Sequence, residues 1–300
     1  MVCTRYNHPI IDMFGFEHVI ILNRNPGIFD LLRVLRRLGK KSFASSLVLD
    51  HTRSGDFGIL ASRLLDAKTI ISGFGTTVEG DIHTRDIFVD DGETDILTLA
   101  KVSIASPIVE VPDIRKEIHI TCDETYVDFG DYIGVHIGGF GSVVYPVSRQ
   151  YPGKSTFALI TKLLNEGYKV VITGDKADAR DFERFSEILK GHEGFVNLAG
   201  RIDVKALGCL MRSLRGYVTP DNGTLHLAQA VGCKRIYAIL GPTAPLLVRG
   251  RNTNIIRLDL PCSPCLEFID FPSGCVNPEG QVCMSKLEAE IIFREIKQTL

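Results

Sequence analysis

The stretch Thr219-Pro220-Asp221-Asn222-Gly223-Thr224-Leu225-His226-Leu227-Ala228 places an acid, an amide, a glycine and a histidine where an apolar strand gives way to a helix. Backbone N–H groups at a helix N-terminus bind anions, and a glycine there lets a phosphate come close to the backbone. Asp221, Asn222 and Gly223 are therefore candidate anion-site residues, with His226 on the first helical turn. A turn with an N-cap is the plain structural reading of the same residues. Two neighbours tip the balance. Val135 to Ser142 runs from a strand into a glycine-rich loop containing Gly138 and Gly139, and Leu240-Gly241-Pro242-Thr243-Ala244-Pro245 forms a rigid loop after a later strand. Neither the dinucleotide-binding glycine pattern nor the Lys-Ser/Thr ending of an NTPase phosphate loop is present.

A second group of reactive residues lies near the C-terminus: Cys262 and Cys265 in C-x-x-C spacing, then Cys275 and Cys283. Four thiolates can close a tetrahedral zinc or iron site, which would be structural because no position stays open for substrate. Reduced, partly buried thiols are the equal alternative. Cys3, Cys122, Cys209 and Cys233 are scattered, and burial is the expectation for each. The basic run Arg33, Arg36, Arg37, Lys40 and Lys41 reads as a solvated helix face.

The elements that must hold these residues alternate. Strands are expected at 19–22, 47–49 and 69–71, with helices at 29–39 and 57–65. Beyond residue 128 strands are expected at 133–137, 169–173, 194–198, 216–219 and 235–240. The helices between them are expected at 156–164, 180–189, 204–213 and 224–231. Alternation of this kind implies parallel sheets covered by helices, with ligands at the carboxyl ends of the strands. The 300 residues suffice for two α/β domains, placed at 1–128 and 129–300. A hydrophobic share of 45% is that of a globular protein, and a net charge of −2 gives no general pull toward nucleic acid. No apolar run reaches the ~18 residues of a membrane span, and the N-terminus lacks the apolar stretch of a secretory signal, so a cytoplasmic protein is expected.

The ordered segments Val135-His136-Ile137-Gly138, Arg149-Gln150-Tyr151-Pro152, Val170-Val171-Ile172-Thr173-Gly174, Asn197-Leu198-Ala199-Gly200, Asp221 to Ala228 and Leu240 to Pro245 resemble glycosyltransferase family 9, the lipopolysaccharide heptosyltransferases. The resemblance implies a GT-B fold, with two Rossmann-like domains facing a cleft, an acceptor-side N-terminal domain and a donor-binding C-terminal one. It implies transfer of a sugar, usually heptose from ADP-heptose, to a lipid-linked core saccharide, without a cofactor and with at most peripheral contact at the inner membrane. Gly138, Gly139, Arg149, Asp221, Asn222, Gly223, His226 and Thr243 would line the donor site. Either Asp175 or Asp178 would hold the ribose. In the autotransporter members of the family a similar cysteine cluster holds iron.

This chain carries Arg149 where the family usually has Lys, and Asn222 where it usually has Ser or Thr. The family's opening strand, Gly-Asp motif and helix have no counterpart, so the N-terminal domain is expected to start at the second strand. No residue is assigned as the general base; Asp56, after Gly55, follows a later strand. A catalytically inactive nucleotide-sugar-binding remnant is the alternative reading, and another GT-B enzyme such as a UDP-sugar epimerase is the third.

Overall fold

A computed structural model describes residues 2–4, 19–23, 27–39, 45–48, 60–62, 64–65, 69–72, 120, 122, 128–138, 149–266 and 274–300. Gly139, Lys40, Lys41, Asp50, His51, Gly55 and Asp56 lie outside these residues. The chain divides into two compact units, 1–116 and 117–300.

In the first unit, β1 (Val2–Thr4) pairs in parallel with β2 (Ile20–Leu22), and β3 (Ser45–Val48) with β4 (Thr69–Ser72). Between β2 and β3 runs α1 (Ile28–Leu38). Leu31 and Leu38 pack, partly buried, against the cluster of Ile20, Leu22 and Val34. Val34 and Asp30 are the buried positions, and Leu32 is exposed. Asp30 reaches back to the chain entering the helix, accepting from Gly27 N at 3.2 Å and Asn23 Nδ2 at 3.1 Å. Those bonds oppose the effect of burial and hold its carboxyl below the usual range. Arg33, Arg36 and Arg37 are exposed, as a solvated face requires.

The second unit is a six-stranded sheet whose registered pairs are all parallel, in the order β10-β9-β8-β5-β6-β7. Its elements in chain order are β5 (Tyr132–His136), α2 (Gly153–Asn165), β6 (Lys169–Thr173), α3 (Lys176–Asp181), α4 (Glu183–Leu189) and β7 (Phe195–Asn197). They continue with α5 (Val204–Ser213), β8 (Gly216–Pro220), α6 (Gly223–Ala230), β9 (Ile236–Ile239), β10 (Thr253–Ile256), α7 (Val282–Ser285) and α8 (Ala289–Thr299). Strands covered on both faces need near-continuous apolar sequence. Ile133, Val170, Val171, Ile172, Tyr217, Ile236, Tyr237 and Ala238 meet that need, each with no residual exposure. The chain leaves β5 toward β6 and β7, then returns to the other side of β5 for β8, β9 and β10. That reversal puts a topological switch between β5 and β8, where open α/β sheets bind ligands.

The unit begins earlier than the expected boundary at 128, because residues before it are tied to α5. Arg212 Nη1 donates to Ile120 O at 3.1 Å, and Cys122 forms a disulfide with Cys209. Burial alone was expected for both cysteines; only Cys209 is buried, and Cys122 is exposed. The expected helix at 180–189 is instead the pair α3 and α4, meeting at Phe182, whose ring is buried against Phe185. At the end of the chain α8 packs on α2, with Lys162 Nζ 2.9 Å from Glu290 Oε2 and 4.6 Å from the Phe293 ring centroid.

Candidate functional site

The switch point gathers loops from the carboxyl ends of β5, β6, β8 and β9. β8 ends at Pro220, and the next residue, Asp221, is buried at 5% exposure. Its Oδ2 accepts from Arg149 Nη1 at 3.0 Å and from Thr243 Oγ1 at 2.6 Å. One carboxylate therefore joins the Arg149 segment, the turn after β8 and the loop that carries Thr243. Arg149 keeps about a fifth of its side-chain surface exposed, so a cation remains at the mouth of this network.

Asn222 follows as the N-cap of α6. Its extended backbone lets Oδ1 accept from Thr224 N at 2.8 Å, which satisfies one of the free N–H groups of the first turn. A Cβ built on the exposed Gly223 meets none of the described residues within 4 Å, so among them open space lies over the helix N-terminus. His226 sits one turn further along α6, partly exposed and without a hydrogen bond among the described residues.

β5 ends at His136, and Gly138 lies just beyond it, pressed against the side chain of Asp178. A Cβ at Gly138 would overlap the Asp178 carboxylate, and Gly174 is tight against Asp178 Cβ and Ile137. Glycine is needed at 138 for this close approach. Asp175 and Asp178 cap α3 reciprocally. Asp175 Oδ1 accepts from Ala177 N at 2.7 Å and Asp178 N at 2.8 Å, and Asp178 Oδ2 accepts from Asp175 N at 2.8 Å. His136 is buried enough to push its pKa down to about 4, with the charge of Asp175 opposing, so the ring is neutral at pH 7. Its Nδ1 lies 3.4 Å from Thr173 Oγ1, which is 2.8 Å from the Tyr217 hydroxyl. Burial raises the Tyr217 phenol far above its ordinary value.

Sequence reasoning missed Thr173, Tyr217, Thr219 and Thr224, whose hydroxyls form the floor beneath this site. The signal was faint: a tyrosine and two threonines in otherwise apolar strands, brought together only by the β5-β6-β8 register.

The late cysteines support a neighbouring loop. Ser263 Oγ donates to Gly241 O at 2.6 Å, while Cys265 N and Leu266 N donate to Pro242 O at 2.8 and 2.7 Å. Gly241 is in turn crowded by Met284 and by Cys283 Sγ. Cys262, Cys265, Cys275 and Cys283 are free thiols, and Asn277 Nδ2 lies 3.4 Å from Cys262 Sγ. Burial raises the Cys283 pKa, and the thiols of Cys265, Cys275 and Cys262 add to the rise, which places the four in one neighbourhood. Among the described residues, no three His, Cys, Asp or Glu side chains converge closely enough to hold a metal.

The family model for glycosyltransferase family 9 (heptosyltransferase) matches residues 145–271, from the approach to Arg149 through Asp221, Thr243 and the first cysteine pair. This stretch is similar to the family 9 domain. Lipooligosaccharide heptosyltransferase 2 of Campylobacter jejuni is 27% identical over 149 residues, which cover 48% of this chain and 45% of the relative. The chain thus aligns with less than half the length of that relative.

Among solved structures, the E. coli ADP-heptose lps heptosyltransferase II superposes with a TM-score of 0.68 at 15% identity, covering 99% of this chain and 87% of that one. E. coli heptosyltransferase WaaC with ADP-2-deoxy-2-fluoro heptose gives 0.67 at 13% identity, covering 100% and 89%. At these identities the likeness establishes the fold, the α/β architecture of the heptosyltransferases. No helix among the described residues is long and apolar enough to cross a membrane.

Proposed function

We propose that the protein is a glycosyltransferase that moves heptose from ADP-heptose to the core saccharide of a lipid-linked acceptor, peripherally at the inner membrane. The observation that carries this reading is the Arg149–Asp221–Thr243 network beside the open N-terminus of α6. The helix N-terminus and Arg149 balance diphosphate charge, so the donor binds without a metal. His226 faces the transferred sugar, and Asp178, against Gly138, holds the ribose. Names of related proteins support the choice of nucleotide and sugar: one solved relative carries ADP-heptose in its description and another binds a fluorinated analogue of it. The general base is unassigned.

The four late cysteines belong to the same reading as a structural zinc or iron site. Their donor chemistry fits a soft cation, and binding would require the thiols to draw together. Metal analysis of the purified protein, before and after a chelator, tests this part.

Isothermal titration with ADP, UDP, GDP and CDP tests the donor site, and release of ADP from ADP-heptose in the presence of acceptor tests transfer. ADP binding that Asp221→Ala abolishes, together with release, is expected. ADP binding without release identifies an inactive nucleotide-sugar-binding protein. Preference for UDP overturns the ADP-heptose assignment.

A further inference from the structure

The bond between Cys122 and Cys209 is unevenly sheltered. Cys209 is buried on α5 at 7% exposure, whereas Cys122 is exposed. A small thiolate can therefore reach the Cys122 sulfur and not the one beneath it. The approach is also electropositive. Arg212, three residues along α5 from Cys209, donates from Nη1 to Ile120 O at 3.1 Å, and Cys122 Sγ lies 3.7 Å from the same oxygen. A guanidinium one oxygen away draws in an anionic thiol and favours the thiolate that departs.

The other cysteines point the same way. Cys233, Cys262, Cys265, Cys275 and Cys283 are free thiols, and Cys275 among them is exposed. A chain that keeps these thiols reduced beside a disulfide suits a reducing environment, where disulfides are transient or redox-sensing. Reclosure is provided for as well. Ile120 is buried at 5% exposure and its carbonyl is bound by Arg212, so an opened Cys122 stays two residues from an anchor and close to Cys209.

We propose that Cys122–Cys209 is a reversible thiol-exchange site whose reactant is a small anionic thiol of the glutathione class. The incoming thiolate bonds to Cys122 Sγ, the Cys122–Cys209 bond breaks, and its electron pair leaves with Cys209, which takes up a proton. A second thiolate attacks the small-molecule sulfur of this mixed disulfide and releases Cys122 as a thiol. In sum, two small thiols are oxidised to their disulfide and the protein bond is reduced to two thiols; oxidised glutathione reverses both steps. Opening removes a crosslink between residues 87 apart, which frees the unfolded chain and so destabilises the fold.

The test uses the full chain after mild oxidation, with its accessible free thiols first blocked by iodoacetamide. Brief treatment with reduced glutathione, acid quenching and peptide mapping should find glutathione on Cys122 and an unmodified thiol at Cys209. The opened protein should melt about 10 °C below the closed one and recover when oxidised glutathione is added. Cys122→Ser should melt with the opened form and ignore glutathione. Arg212→Gln, which keeps a donor for Ile120 O but removes the charge, should open several-fold more slowly; an unchanged rate overturns the role given to Arg212. A bond that resists glutathione in the native protein, or that is first loaded on Cys209, overturns the exchange site in favour of a fixed crosslink. Absence of the bond after oxidation, or a Cys122→Ser melt equal to that of the closed parent, overturns the proposal outright.

Discussion

The turns after β6 and β8 flank β5 on either side, and each joins a buried strand to a helix through an aspartate and a glycine. After β6, the cap of α3 is made by its own carboxylates: Asp175 and Asp178 take up the first N–H groups, and Asp178 fills the space over Gly138 and Gly174. After β8, Asp221 is turned away into a pair with Arg149, the cap is a neutral amide, and no described residue stands over Gly223. One turn is closed and carries negative charge, whereas the other is open and presents N–H groups. Two helix N-termini in one sheet can thus differ in ligand preference through the placement of two carboxylates.

The largest effect should come from breaking the pair that keeps Asp221 out of the open turn. Arg149→Ala leaves a buried carboxylate with, among the described residues, only Thr243 against it, at a cost of about 3 kcal/mol. Denaturant unfolding should show this loss, and ADP titration should show affinity falling by more than Gly223→Ala causes. Unchanged stability would mean that Asp221 finds another partner and that the turn is not held open by this pair.

A comparable effect should follow pH, through the neutral histidine between the two turns. His136 has a folded pKa of about 4 and an unfolded value near 6.5, so the unfolded chain binds the proton first as pH falls. Stability from this group is complete above pH 6.5 and is lost on going down to pH 4, by up to about 3 kcal/mol. Subtracting the profile of His136→Gln isolates it from the carboxylates that titrate in the same range. Parallel profiles would show that His136 protonates freely in the fold.

A smaller pair of changes tests the glycines directly. Gly138→Ala must displace Asp178 and should cost about 2 kcal/mol. Gly223→Ala meets open space and should leave the melting temperature unchanged or slightly higher, while ADP binds about 10-fold more weakly because the new methyl occupies the phosphate approach. Equal stability losses in both would erase the distinction between closed and open turns.

Much of the second unit was legible in the sequence because its strands are short apolar runs between polar turns. β6 and α5 fall where they were expected, and β5, β7, β8 and β9 differ by a residue or two at their ends. β10, Thr253–Ile256, escaped because only two of its four residues are apolar. The split at Phe182 escaped because the Asp175-x-x-Asp178 spacing was weighed for ribose binding rather than as a capping box one turn upstream. The Cys122–Cys209 bond joins residues 87 apart, which spacing cannot reveal. The resemblance to family 9 grouped Arg149 with Asp221 and Thr243, and the fold joins the three by hydrogen bonds. Which atom of Asn222 is occupied depends on threonine hydroxyls from β8 and α6, and side-chain rotamers are not written in residue type.

The backward path of the chain after β10 bears on how such domains can be recombined. Ser263 and Cys265 hold the loop that carries Thr243, Met284 abuts Gly241, and the Tyr151 hydroxyl at the mouth of α2 donates to Leu287 O at 2.7 Å. The family-matched stretch stops at 271, short of two of these anchors. A chimera that exchanges the Asp221–Thr243 segment between relatives therefore needs its downstream crossover beyond Leu287, since a graft ending with the recognisable motif would separate the Thr243 loop from residues that brace it.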